Sequence, residues 1–228
     1  MKSCLIFLPT LALACLPLQA QVTVVTPQGS AGVEVVRPAG RVLDSVEARR
    51  QLSVAPQIMV PPASAVTVIP ADTVKTTKTT TVVQTPGQPT RVYNAERNVV
   101  IVQDQNEKRE LPYVTLPVLF VKETSELLDN ESRTALEQIA GVILAIAKTE
   151  AGTVFDIEGH TSTDGTDDYN LELSAARAKR VFDELTQNYG VPANVLSAHG
   201  YGEMFPMYPA GTEQQMQMDR RVLVVRTK

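Results

Sequence analysis

The chain has 228 residues and a formal net charge of −4, and its acidity sits in one half: residues 111–228 hold 17 Asp and Glu against 10 Lys and Arg, while residues 21–110 hold 8 against 10. An acidic chain with no basic stretch interleaved with aromatics lacks the phosphate neutralisation that nucleic-acid binding requires, which excludes that class. The length allows one or two domains, and the uneven composition favours one folded domain preceded by a looser segment.

Residues 1–20 read as an export signal: Lys2, an apolar run from Cys4 to Leu18, and a small residue, Ala20, before Gln21. The run is shorter than the roughly 20 apolar residues that span a bilayer. The alternative is a lipoprotein signal in which Cys15 is acylated, and membrane association is expected only in that case. Both cysteines, Cys4 and Cys15, lie in this segment, so a chain cut after Ala20 has no disulfide and no thiolate metal ligand. Residues 21–90 are rich in Val, Thr, Pro and Gln and contain no aromatic residue. Prolines 27, 38, 56, 61, 62, 70, 86 and 89 punctuate them. The expectation is a largely disordered, low-complexity tether whose coil would span about 50 to 60 Å. Within it, Arg41 to Leu52 fits a short amphipathic helix through Val42, Leu43, Val46 and Leu52, with no evident cap or partner. A membrane barrel needs at least about eight strands with aromatic girdles, and residues 21–110 hold a single aromatic, Tyr93.

Residues 91–113 predict a hairpin or linker strands, with a strand at Asn98 to Val102 and a polar turn at 105–108. The domain proper then occupies 114–228. Its opening strand is predicted from Tyr113 to Val121, and Leu127-Leu128-Asp129-Asn130-Glu131 supplies an N-cap with acids in the first turn of a helix whose Leu136, Ile139, Ala140, Ile143, Leu144 and Ala147 recur at helical spacing. Thr153 to Glu158 forms a strand, and a helix from about Asn170 to Tyr189 follows, with Leu173, Ala176, Val181, Phe182 and Leu185 as its expected buried side. Gly190 ends that helix and Pro192 prevents its resumption. Val195 to Tyr201 is a further strand, residues 203–218 an irregular Met-rich excursion, and Arg221 to Arg226 the closing strand. Strands alternating with two long helices give an α/β sandwich with helices on one face.

The chemistry concentrates between Gly159 and Ala178. Asn170, Ser174 and Arg177 recur on one helix face and can edge one cleft, where a guanidinium fork suits a carboxylate. The competing reading is that Arg177 pairs with Asp164, Asp167 or Asp168 and fastens the loop to the helix. His160 with those aspartates matches neither a calcium-loop nor a zinc spacing, so neither metal nor cofactor is expected. No Ser or Cys sits in a nucleophile elbow, which disfavours a hydrolase. Arg220 and Arg221 either line the same cleft or pair with acidic surface.

Gly159-His160-Thr161, Gly165, Asn170-x-x-Leu173-Ser174-x-x-Arg177-Ala178-x-x-Val181, Gly190-Val191, Gly200-x-Gly202 and Arg220-Arg221-Val222 together resemble the C-terminal peptidoglycan-binding domain of outer-membrane protein A. Peptidoglycan-associated lipoprotein and the flagellar stator protein MotB carry the same domain. The resemblance covers residues 114–228 and implies a βαβαββ sandwich of helices on one face of a mixed sheet. It also implies non-covalent binding of the diaminopimelate of the peptidoglycan stem peptide, without enzymatic activity. Arg177 is then the carboxylate clamp, with Thr161, Ser162, Asp164, Asn170, Arg220 and Arg221 completing the ligand site. The expected location is the periplasm or the periplasmic face of the outer membrane, with peptidoglycan as partner and other envelope proteins as further candidates. Two positions depart from the family pattern. Ser162 stands where the family has Asp, and Asp219 stands where it has Asn. A hydroxyl cannot pair with an ammonium as a carboxylate does, so the resemblance also leaves room for an envelope scaffold whose wall-binding site has been lost or altered.

Overall fold

The structure is a computed structural model, and it describes residues 42–59, 90–103, 107–209 and 211–228. The predicted export signal, Cys15 and the tether segments 21–41 and 60–89 lie outside the described residues.

The tether expectation fails over residues 42–59. Helix α1 (Ser45–Leu52) is capped by Asp44, whose carboxylate accepts from the amides of Val46 and Glu47 at 2.9 and 3.0 Å. Leu43, Ala48 and Leu52 are buried in the main core. The Gln51 amide donates to the carbonyls of Arg97 and Asn98, and Arg226 donates to the Leu52 carbonyl at 3.1 Å. Cap and partner both exist, but the partners lie some 46 to 174 positions away along the chain, beyond the reach of a local periodicity. Strand β1 (Gln57–Met59) follows and pairs antiparallel with Lys108–Glu110.

Strands β2 (Thr90–Asn94) and β3 (Val99–Gln103) form a hairpin, and β3 pairs with the first half of β4 (Lys108–Leu116). The predicted strand from Tyr113 to Val121 therefore starts earlier and stops at Leu116, because Pro117 has no N–H to donate to a ladder. Helix α2 (Asn130–Thr149), strand β5 (Phe155–Gly159), helix α3 (Asp167–Gln187), strand β6 (Leu196–Gly200), helix α4 (Glu213–Asp219) and strand β7 (Val222–Arg226) complete the chain. The sheet runs β2-β3-β4-β7-β5-β6, with β1 on the free side of β4. Among the described strands only β5 and β6 are parallel, joined through α3, so the sheet is mixed.

One core lies between the helices and one sheet face. Phe155, Ile157, Val222 and Val224 meet Leu136, Ile139 and Ile143 of α2 and Val181 and Leu185 of α3. A second, smaller core on the opposite face joins Tyr93, Val100 and Val102 of the hairpin to Leu111, Tyr113, Leu223 and Val225. The hairpin covers Leu223 and Val225 on that face and the helices cover the other, so every residue of β5 and β7 is buried. The buried stripe of α3 is rotated from the predicted one, running through Asn170, Ser174, Arg177, Ala178, Val181 and Leu185. Leu173, Ala176 and Phe182 sit at its margins. The N-terminal half of this helix buries polar side chains against the strand ends, which apolar periodicity cannot register. The predicted irregular excursion contains α4, started by a capping box between Thr212 and Gln215.

Truncating Leu52 tests whether α1 belongs to the folded domain. Its side chain is fully buried, so Leu52→Ala is expected to lower unfolding free energy by about 2 to 5 kcal/mol in urea titration. A loss below about 0.5 kcal/mol, the range of surface changes, would show that α1 does not share the core.

Candidate functional site

Strand alternation sends Phe155 and Ile157 into the helix-side core and Asp156 and Glu158 to the opposite face. The strand then delivers His160, Thr161 and Ser162, all buried, to the sheet's rim. Here the chain is held on two sides: the His160 amide donates to the Arg221 carbonyl and the Thr161 amide to the Gly202 carbonyl, both at 2.9 Å. The loop turns into α3 at Thr166, whose hydroxyl accepts from the Tyr169 amide.

Residues 170, 174 and 177 share the inward face of α3 and do three different jobs. Asn170 donates to the carbonyls of Ser162 and Asp164, the latter at 2.9 Å, and to the Glu203 carboxylate. Its amide thus fastens the loop. Ser174 accepts from the Gly202 amide at 2.8 Å, joining the helix to the turn after β6. Arg177 donates through Nε to the Thr124 carbonyl at 3.0 Å, and its guanidinium lies 5.1 Å from the centre of the Phe120 ring. Among the described residues no carboxylate comes within ion-pair reach of it, so the alternative pairing with Asp164, Asp167 or Asp168 is absent. Burial lowers the Arg177 pKa, and the neighbouring Arg220 cation adds to that. The segment carrying Phe120 and Thr124 was not singled out by the sequence; it enters the site through a bridge between Phe120 and Leu127.

Ser162 and Asp164 come together. The Ser162 hydroxyl donates to Asp164 Oδ2 at 3.3 Å and accepts from Arg220 Nη1 at 3.2 Å, and Arg220 lies 3.7 Å from the same carboxylate oxygen. Arg220 also pairs with Glu213 of α4. The Thr161 hydroxyl is buried with no hydrogen-bond partner. The expectation that Arg221 lines the cleft is corrected: adjacent residues entering a strand face opposite ways, and Arg221 points to the hairpin side. There it donates to the Phe205 carbonyl at 3.1 Å, meets Asp219, and lies over the Tyr93 ring.

Residues 119–220 match the model of the OmpA family. These residues form an OmpA-family domain. Over 113 residues, half of this chain, the sequence is 35% identical to outer membrane porin F of Pseudomonas aeruginosa and covers 31% of that protein. Over 110 residues, 48% of the chain, it is 33% identical to the putative lipoprotein YfiB of Escherichia coli and covers 66% of it. The chain thus spans under a third of one relative and about two thirds of the other. Among solved structures, the peptidoglycan-associated lipoprotein of Burkholderia pseudomallei superposes with a TM-score of 0.43 at 25% identity, over 48% of this chain and 88% of that one.

In this OmpA-family domain, Asp219 has a structural task. It is fully buried, accepts from the amides of Met207 and Tyr208 at 2.6 and 3.1 Å, and faces the Arg221 guanidinium. Burial raises its pKa, while the Met207 amide and Arg221 oppose the shift. No metal-holding group of three or more His, Cys, Asp or Glu exists among the described residues, and no helix among them is long and apolar enough to cross a membrane.

Behind the site lies a buried polar cluster that sequence reading missed. Glu158 pairs with Arg91 and accepts from the Tyr93 hydroxyl at 2.7 Å. His160 packs between the Tyr93 and Tyr201 rings, and neither ring nitrogen has a hydrogen-bond partner. Burial, then Arg221 and Arg91, holds its pKa well below the usual 6.5. The native histidine is therefore neutral, while the unfolded chain takes up a proton as pH falls below 6.5, so this stability is present above that pH and is lost on acidification. His160→Phe, which fills the same aromatic slot, is expected to remove a slope of up to about 1.4 kcal/mol per pH unit below pH 6.5 in urea melts. Identical acid slopes in the two proteins would show that His160 is protonated in the native state.

Proposed function

We propose that the domain binds peptidoglycan non-covalently through the diaminopimelate of the stem peptide, joining the outer membrane or periplasm to the cell wall without catalysing a reaction. The observation that carries this reading is Arg177: a buried guanidinium held by the Thr124 carbonyl and the Phe120 ring, with no carboxylate partner among the described residues. A buried cation is costly unless something neutralises it, and its terminal nitrogens suit a ligand carboxylate in a bidentate pair. Family membership over residues 119–220 supports the same ligand class.

Asp164 supplies the acid that Ser162 lacks. Its carboxylate lies 3.3 Å from the Ser162 hydroxyl, which supports its receiving the ligand's ammonium in place of the aspartate that the resemblance leads one to expect at 162. Asn170 acts on the ligand through the loop it fastens, the Thr161 hydroxyl is a donor left for the bound peptide, and Arg220 orients Ser162 and Asp164.

Co-sedimentation with purified insoluble peptidoglycan tests each role. Wild-type protein is expected in the pellet. Arg177→Met, which keeps the packing on Phe120, is expected to weaken retention by about 10- to 100-fold, the worth of about 1.5 to 3 kcal/mol for hydrogen bonds to a charged group. Asp164→Asn is expected to weaken it too, and Ser162→Asp in that background to restore it. Equal pelleting of wild type and Arg177→Met would refute the clamp, an unaffected Asp164→Asn would refute the acid's role, and a wild type that stays in the supernatant would favour an envelope scaffold.

A further inference from the structure

The β2–β3 hairpin lies before the family-matched residues 119–220, yet two of its side chains reach into the buried cluster behind the site. Arg91 and Tyr93 are two positions apart on β2 and so share a face. Together they hold both oxygens of the fully buried Glu158 carboxylate, Arg91 on Oε1 and the Tyr93 hydroxyl on Oε2. Arg91 also donates to the Tyr201 hydroxyl at 2.7 Å, with its guanidinium 4.6 Å from the centre of that ring.

Glu158 and Tyr201 stand at the ends of the parallel strands β5 and β6, and both lead directly into the ligand loop. Four residues after Glu158 is Ser162. One residue after Tyr201 is Gly202, whose carbonyl accepts from Thr161 and whose amide donates to Ser174. Two after it is Glu203, which accepts from Asn170. The Tyr201 amide itself donates to the Gly159 carbonyl at 2.9 Å. The links through the Tyr201 amide and the Gly202 carbonyl therefore pass through a segment gripped by Arg91, while the His160 amide is held separately by the Arg221 carbonyl.

We infer that the hairpin is a strap whose Arg91 and Tyr93 are positioning residues for the ligand loop, so that the OmpA-family site of this chain is held in shape by a segment outside the family match. Arg91 spans from β5 to the turn after β6 and fixes the separation of the two strand exits. Its link to Glu158 sets the exit toward Thr161 and Ser162. Its link to Tyr201 sets the turn that receives the Thr161 amide. The functional consequence rests on the ligand site proposed above; the positional claim does not.

The test is residue-resolved amide hydrogen exchange on the full chain. Tyr201→Phe removes the single hydroxyl that connects Arg91 to the turn and leaves the ring in place. The expectation is exchange about tenfold faster at the amides of Thr161 and Gly202, with the melting temperature and the amides of Ile157 and Val224 unchanged. A second variant, Arg91→Met with Glu158→Gln, removes both members of the buried ion pair together, which avoids stranding either charge. It is expected to accelerate the same two amides. Unchanged exchange at Thr161 and Gly202, or equal acceleration across the sheet, would overturn the inference. Pelleting with insoluble peptidoglycan separates this claim from the binding reading. Wild-type protein that pellets while Tyr201→Phe is retained less supports both, equal retention of the two refutes the strap's functional role, and a wild type that does not pellet refutes the binding reading while the exchange data still decide the positional one.

Discussion

The site depends on a contact between backbones. Gly159 and Gly200 face each other across the parallel pair β5 and β6, and α3 lies directly on both. A Cβ at Gly159 would fall 2.2 Å from the Ser174 carbonyl oxygen, and one at Gly200 would fall 2.3 Å from the Ala175 nitrogen. No side chain fits either place unless the helix moves away from the sheet. This contact sets the height of Ser174 above the strand ends. One turn before Ser174 is Asn170, holding the loop; about one turn after it is Arg177, against the Thr124 carbonyl and the Phe120 ring. Displacement of the helix by an ångström would break the Ser174 bond to Gly202 and shift the guanidinium out of register with the loop.

On that frame three arginines near the site are answered in three ways. Arg221 is buried and answered internally by Asp219, whose carboxylate gives the buried cation its counter-charge. Arg220 is half-exposed and shared among Glu213, Asp164 and Ser162. Arg177 alone of the three is buried with only a carbonyl and an aromatic face for company. Taking an ion out of water costs several kcal/mol that only an opposite charge in good geometry offsets. In the proposed function a ligand carboxylate completes the set and the Asp164 carboxylate, beside Arg220, receives an ammonium.

Much of this fold is legible in the sequence. Apolar spacing marks α2 and α3, alternation marks β5, a continuous apolar run marks β7, and the strand–loop–helix motif brings His160 through Arg177 to one rim. What escapes is long-range. Asp156 and Glu158 alternate with Phe155 and Ile157, which by pattern alone places them toward water; Glu158 is buried because a hairpin some 65 residues earlier in the chain folds over it, and Asp156 because Ser197 and His199 of β6 close on it. The short helix over residues 45–52 reads as an unpartnered fragment because its partners are α2 and the carbonyls of a distant turn. Arg220 and Arg221 look equivalent until the strand fixes which side each faces. The approach of Ser162 to Asp164 is a property of the folded loop, and no residue type at either position announces it.

The pairing of Arg177 with a ligand carboxylate is the centre of this account, and an NMR titration of the isotope-labelled chain with meso-diaminopimelic acid tests it most directly. The predicted result is a saturable shift of the Arg177 Nε–Hε resonance together with the amides of residues 162–165, while resonances of α1 stay fixed. A titration in which the Arg177 resonance and that loop do not respond, up to millimolar ligand, would contradict it.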